Sequence, residues 1–375
     1  MPAAPTKVIR ALDLGSGFAK FSVANEAGEI EFQSFPSLAP RSSGVELSLS
    51  ALGGRDTVLV EIEGSKFEVG PDSADLDSTG STRSLNNSFI YTEQYKAVYL
   101  GVLHYMKEPV IDLLVVGLPL NNMQAADKLK AIMLGKHRIN ATETVEVKEV
   151  AVIAQPLGGL YHCLSLASTV EALEFMDDEV NLIIDPGFLT FDFLLANGQK
   201  IVENRSDAKD GGVSKVLRAI GESLSDKFGI NYDNIGMLDK SLRRGKLKIH
   251  GVVESLDEHK KNARSVVEGS VNFMKNIVGD GSDIDNIILL GGGGHIFQKT
   301  LAAFYPNHKI IVIEEAQMAN VKGFQIAGEK IAKMSGKKAA HAPAASVAAA
   351  TPVAPASGAS TPSAAPAAPA ALQTA

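Results

Sequence analysis

The chain has 375 residues, 45% of them hydrophobic, a formal net charge of −7 and one cysteine, Cys163. Its length exceeds what one core usually organises, and its acidity argues against broad, sequence-independent attachment to nucleic acid. A lone cysteine excludes an intramolecular disulfide and reads as apolar filler; with no membrane-length apolar run and no signal peptide at Met1–Lys7, the expectation is a cytoplasmic, two-domain protein.

Val8 to Val23 reads as two strands joined by a tight turn. An apolar run ends in Asp13, and Leu14-Gly15-Ser16-Gly17-Phe18-Ala19-Lys20 leads into a second apolar segment. Glycine at the third position of Asp-x-Gly lets the backbone approach a ligand, and successive N–H groups in such a turn form an anion-binding concavity. Lys20 adds a positive charge. Alternating runs such as Thr57 to Ile62 follow, then helical spacing over Tyr91 to Lys107 and a continuous apolar strand over Val110 to Gly117. Gln124 to Leu134 predicts a helix, Thr144 to Ala154 a strand, and Leu157 to Phe175 a long helix linking two halves of an α/β chain.

The second half repeats the plan. Val180 to Ile184 delivers Asp185 into Pro186-Gly187-Phe188-Leu189-Thr190-Phe191-Asp192, a turn of the same shape as the first. Either turn alone fits an ordinary hairpin; the pair implies one nucleotide gripped from two sides. Asp13 and Asp185, each at a strand end, suit a divalent cation held through water, as Mg²⁺ is when it bridges carboxylates and phosphates. Helices are expected over Gly211 to Phe228 and Val252 to Val278. Between them Leu242-Arg243-Arg244-Gly245-Lys246-Leu247-Lys248 is a basic cluster, read as a solvated face, a phosphate contact or a subunit contact. A strand at Asn286 to Leu290 runs into Gly291-Gly292-Gly293-Gly294, where a base or ribose can lie flat on backbone. Ile310 to Glu314 and a closing helix over Gln317 to Met334 follow. Neither a Gly-x-Gly-x-x-Gly dinucleotide turn nor a Gly-x-x-x-x-Gly-Lys-Ser/Thr loop occurs, which disfavours those two nucleotide folds. From Lys337 onward Ala, Pro, Ser and Thr dominate, the composition of a disordered tail.

The order of first phosphate loop, connecting helix, second phosphate loop and Gly-rich loop resembles the actin, sugar kinase and heat-shock chaperone ATPase superfamily. Within it the chain is most similar to bacterial plasmid-segregation actins of the ParM type. Asp13 to Lys20 resembles the actin form Asp-x-Gly-Ser-Gly-x-x-Lys, and Asp185 to Asp192 the ParM form Asp-x-Gly-x-x-Thr-x-Asp. Phe35-Pro36-Ser37, Val69-Gly70, Gly117-Leu118-Pro119, Gln155-Pro156-Leu157-Gly158-Gly159 and Ala319-Asn320-Val321-Lys322-Gly323-Phe324 extend the likeness over about the first nine tenths of the chain. Phe188 departs from it, standing where relatives carry a second small residue.

The resemblance implies an actin-like two-domain fold of duplicated ribonuclease H-like domains with a nucleotide cleft between them. Domain I would cover 1–165, with a small outer subdomain at about 30–90; domain II would cover 166–314, a return to domain I 315–336, and the tail 337–375. It implies ATP, with GTP left open, and Mg²⁺ held by Asp13 and Asp185. Nucleotide contacts are expected from Asp13, Gly15, Ser16, Gly17, Lys20, Gly187, Phe188, Leu189, Thr190, Gly211, Gly212, Arg243, Gly291, Gly292 and Gly293. Gln155 is the expected water-positioner, or else an amide capping the Leu157 helix. Asp185 would bind the metal's water shell or orient that water, and Thr190 and Asp192, ranked below Asp13 and Asp185, could instead be structural. The expected function is a nucleotide-dependent filament that segregates plasmid DNA through a separate DNA-binding adaptor, with self-contacts and no membrane partner. A non-polymerising ATPase switch or scaffold and a small-molecule kinase are the alternatives. No separate catalytic Asp for a sugar hydroxyl stands out, and no β-domain follows the ATPase region.

Overall fold

Apolar runs that end in Asp-x-Gly become the inner strands of two sheets. The computed structural model describes residues 7–42, 54–76, 89–167, 173, 174 and 176–341, without the side chains of Arg243 and of 336–341. In chain order the first half contains β1 (Ile9–Leu14), β2 (Phe18–Ala24), β3 (Ile30–Pro36), β4 (Val58–Ile62), β5 (Ser65–Val69), α1 (Glu93–Met106), β6 (Val110–Ile111), β7 (Leu113–Leu118), α2 (Ala126–Met133), β8 (Gly135–Arg138), β9 (Thr144–Val147), β10 (Val150–Ala154) and α3 (Gln155–Leu166). The central sheet runs β10-β7-β1-β2-β3, with β1 parallel to β7 and antiparallel to β2. A parallel strand buried on both faces must be apolar nearly throughout, and β7, Leu-Leu-Val-Val-Gly-Leu, is buried at every position.

The second half contains β11 (Val180–Pro186), β12 (Thr190–Asn197), β13 (Lys200–Ile201), β14 (Asp207–Asp210), α4 (Val213–Phe228), α5 (Ile235–Arg244), β15 (Leu247–Ile249), β16 (Val252–Glu254), α6 (Asp257–Asn262), α7 (Arg264–Val278), β17 (Asn286–Leu289), α8 (Gly294–Phe304), β18 (Ile310–Val312) and α9 (Ala319–His341). Its sheet repeats the plan: β11 lies parallel to β17 and antiparallel to β12.

The two lobes exchange helices. Leu160 and Cys163 of α3, which leaves the first sheet, pack with Ile183 and Leu194 of the second. Val321 and Phe324 of α9, which follows the second sheet, pack with Ala11, Leu113 and Val115 of the first. The helices meet through glycines: a Cβ on Gly323 would be driven into the carbonyl of Gly158, and one on Gly158 into the Phe324 ring. Gln325 ties α9 to the first sheet, accepting from Ser22 Oγ at 2.8 Å.

Four expected elements are divided or shortened. The run Val110 to Gly117 splits at Asp112, which accepts the Val8 amide at 2.9 Å and pairs with Lys148 at 2.8 Å, so β6 and β7 join different sheets. Thr144 to Ala154 splits likewise into β9 and β10. Val252–Glu254 is a strand, hairpinned to β15 through His250 and Gly251 at positive φ, and the helix expected there begins only at Asp257. The linking helix ends at Leu166. The closing helix, in contrast, runs past Met334 to His341, into the segment read as tail; 342–375 lie outside the described residues. So do 43–53 and 77–88 of the small outer subdomain.

Candidate active site

The two Asp-x-Gly turns face each other across a cleft of about 530 Å³. In the first lobe Asp13, next to last in β1, lies directly opposite Lys20 on β2, and Lys20 Nζ lies 2.9 Å from Asp13 Oδ2. Gln155, the first residue of α3, donates Nε2 to Asp13 Oδ1 at 2.8 Å. That bond ties the first residue of α3 to the first turn. In the second lobe Asp185, next to last in β11, lies directly opposite Asp192 on β12. Asn320 of α9 donates Nδ2 to Asp185 Oδ2 at 2.6 Å, and the Leu120 amide donates to Asp192 Oδ1 at 3.2 Å.

Burial sets the electrostatics. Asp13, Asp185 and Asp192 are 1%, 6% and 1% exposed. Desolvation pushes the Asp185 carboxyl above its ordinary value; the Lys20 ammonium and the Asn320 amide oppose this, while the charge of Asp13 adds to it. Asp192 is pushed up to about 7 by burial and by Asp185, against hydrogen bonds from Thr190 and Leu120. Burial favours neutral Lys20, but Asp13 and Asp185 outweigh it and hold the ammonium charged.

Each turn is clamped within its own lobe. Ser37 donates its N–H to Gly17 O at 3.1 Å and its Oγ–H to Gly15 O at 2.5 Å, which gives the Phe-Pro-Ser segment a structural task. The second turn is held by the first amides of α4, Val213 N to Gly187 O at 3.0 Å and Ser214 N to Phe188 O at 2.8 Å. Between the turns, a Cβ on Gly17 would lie 2.9 Å from Phe188 Cβ, so the ring of one lobe rests against the glycine of the other.

Of the expected contacts, Asp13, Gly15, Ser16, Gly17, Lys20, Gln155, Asp185, Gly187, Phe188, Leu189, Thr190, Gly292 and Gly293 line the cleft. Gly211, Gly212 and Gly291 do not. Gly211 and Gly212 donate to Leu189 O behind the second turn, and a Cβ on Gly212 would come within 2.5 Å of Gly187 O. Gly291, at φ +70°, leaves room for the Asp185 carboxylate from behind. The Arg243 side chain lies outside the described residues; its neighbours Asp239 and Leu242 line the cleft. Asn320 is the important residue that sequence reading passes over, although its segment was part of the resemblance. Asn122, His295, Gln317 and Met318 also line the cleft.

The donor set fits Mg²⁺: two buried carboxylates offer hard oxygen ligands. Among the described residues no group of three or more His, Cys, Asp or Glu side chains forms a metal cage, so a cation would also need ligand oxygens, as Mg²⁺ does when it bridges phosphates.

Two family models match, actin like proteins N terminal domain over residues 11–158 and archaeal actin homologue MreB-like, C-terminal, over residues 183–303. No curated protein matches the sequence. Among solved structures, a non-polymerisable quadruple mutant of pCBH ParM superposes with a TM-score of 0.69 at 20% identity, covering 87% of this chain and 100% of its own. ParM in a 15-stranded filament from Clostridium botulinum gives 0.68 at 20%, covering 87% and 99%. Ta0583, an archaeal actin homolog, in complex with ADP, gives 0.66 at 15%, covering 86% and 99%. These likenesses show the α/β actin fold with its two domains. With one matched model carrying Asp13 and Gln155 and the other Asp185 and the Gly-rich turn, the chain belongs to the actin-like ATPase superfamily.

Proposed function

We propose that this chain is an ATPase whose Mg²⁺–ATP-bound form assembles head-to-tail into dynamic filaments, and that these filaments segregate plasmid DNA through a separate DNA-binding adaptor. One observation carries the reading: Asp13, Lys20, Gln155, Asp185 and Asn320 converge, from both lobes and both exchanged helices, on a cleft between two glycine turns. Asp13 and Asp185 would hold Mg²⁺, which supplies charge neutralisation to the phosphates. Backbone amides of the two turns, other than that of Gly187, which is donated to Thr190 O at 2.9 Å, would cradle the phosphate chain, with Lys20 adding charge. Gln155, its Nε2 committed to Asp13, presents Oε1 as the acceptor that orients an attacking water. An amide is no base at neutral pH, so hydrolysis depends on positioning and is slow and gated by lobe closure. We read the two lobes as domains at 1–165 and 166–314 with a C-terminal return at 315–336.

The superfamily includes ParM- and Alp-type filament formers, and head-to-tail contacts that do not close generate filaments. An acidic chain suits an adaptor that reads DNA on its behalf. No helix among the described residues is long and apolar enough to cross a membrane. The test is sedimentation with Mg-ATP, Mg-GTP, a non-hydrolysable analogue, ADP and no nucleotide, with electron microscopy of the pellets. Filaments with the triphosphate that persist in the analogue and dissolve in ADP are expected. Nucleotide binding without sedimentation would overturn the assembly reading, and phosphoryl transfer to a metabolite would overturn the filament class altogether.

A further inference from the structure

We propose that Phe188 senses the third phosphate: its ring rests on Gly17 across the cleft, and a triphosphate entering between the turns displaces it while a diphosphate leaves it in place. The inference rests on the nucleotide-cleft reading above.

Three observations carry it. The contact is close, since a methyl on Gly17 would lie 2.9 Å from Phe188 Cβ, 3.1 Å from Cγ and 3.4 Å from Cδ2. Both residues line the cleft, and Phe188 is half-buried with its inner side packed on the second lobe's core. Neither turn yields easily, because Ser37 holds one backbone and the Val213 and Ser214 amides hold the other. The side chain is therefore the part that gives way when the gap must admit a larger group.

An aromatic ring is a poor neighbour for a phosphate. Its face carries negative quadrupole potential, and it displaces the water or N–H groups that anionic oxygens require. Ring and phosphate therefore compete for one gap. Because Gly17 belongs to the first lobe and Phe188 to the second, breaking their contact alters how the lobes meet. A ligand shifts such an equilibrium only through its differential affinity for the two arrangements, and the third phosphate supplies that difference. Phe188 acts here as a positioning residue.

The experiment compares Mg-ATP and Mg-ADP affinities of the full chain by titration calorimetry for wild type, Phe188→Gly, Gly17→Ala and the double variant, with thermal melts as a folding check. Phe188→Gly should shift the affinity ratio toward ATP by on the order of 5-fold or more, the lower end of ordinary coupling. Phe188→Leu, which keeps apolar packing on the core, should shift it the same way by less and serves if the glycine variant fails to fold. Gly17→Ala should weaken binding of both nucleotides, and adding Phe188→Gly should restore it by giving the methyl room. That rescue separates the ring contact from a methyl striking the phosphate. An unchanged ratio in Phe188→Gly and Phe188→Leu, or a Gly17→Ala defect undiminished in the double variant, overturns the inference. Wild type that binds neither nucleotide overturns the cleft reading instead.

Discussion

Asn320, on the helix that ends the fold, donates its amide to Asp185 Oδ2 at 2.6 Å although the two are separated by 135 positions in the chain. The bond fixes Oδ2, while Oδ1 packs against the backbone at Gly291, so the carboxylate is held in one orientation. Asn320→Leu should lower apparent Mg²⁺ affinity or turnover about 10- to 100-fold, the usual cost of losing a partner behind a metal ligand. Magnesium dependence of ATP turnover reads this directly, and an unchanged half-saturation would remove Asn320 from the site.

Asp185→Ala should abolish hydrolysis while sparing the fold, because burial already disfavours this charge. Asp13→Ala should behave differently. It leaves the Lys20 ammonium without its nearest partner and Gln155 without its acceptor, and breaking such a buried pair costs about 3–5 kcal/mol. Denaturant melts should separate the two variants. Turnover near the wild-type rate in Asp185→Ala would refute the assignment.

Gly323→Ala forces α3 and α9 apart at the Gly158 carbonyl and carries Gln155 and Asn320, each about one turn from the crossing, out of position. We expect a loss of about 1–3 kcal/mol from overpacking and roughly 10²-fold in turnover from misplacement. Gly269→Ala is the control: it lies inside α7 with nothing within 4 Å of an added Cβ, and should stabilise by about 0.4–1 kcal/mol. Equal effects of the two changes would show that the crossing is not critical.

His162, buried on α3, is held at about 4 by desolvation and the Lys322 ammonium, with Glu315 pulling the other way, against an ordinary value of 6.5. Between those values the unfolded chain takes up a proton that the folded chain refuses. Stability therefore falls as pH drops from 6.5 toward 4, by at most about 1.4 kcal/mol per unit from this group. His162→Gln should lose less over that window. Melting curves of both proteins from pH 7 to pH 4.5 that run parallel would refute the assignment of this pH dependence to His162.

The strands that deliver Asp13 and Asp185 are legible in the sequence because a doubly buried strand must be apolar and the glycine must follow it at once. Boundaries set by distant partners are not. Nothing in Val110 to Gly117 announces that Asp112 will bond Val8 and Lys148 and so divide the run between two sheets. The helical reading of Val252 fails because its apolar spacing cannot register the hairpin made by His250 and Gly251. Asn320 is silent for a similar reason: an amide on a helix acquires its meaning only from Asp185, which the exchange of helices brings to it. Gly211 and Gly212 mislead in the opposite direction, since glycine serves close backbone packing behind a loop as readily as ligand contact in front of it.

The cross-strand registers give the duplicated frame a direction. Its two halves hold an aspartate in the same seat and a side chain in the same facing seat, but that facing residue is Lys20 in one half and Asp192 in the other. One half is thus a self-neutralised ion pair, and the other is a pair of carboxylates in which burial, with the charge of Asp185, pushes Asp192 up to about 7. Two sheets of like strand plan therefore present a lopsided potential, more negative on the second lobe. A linear, charged ligand lying between such halves would meet a different potential at each end.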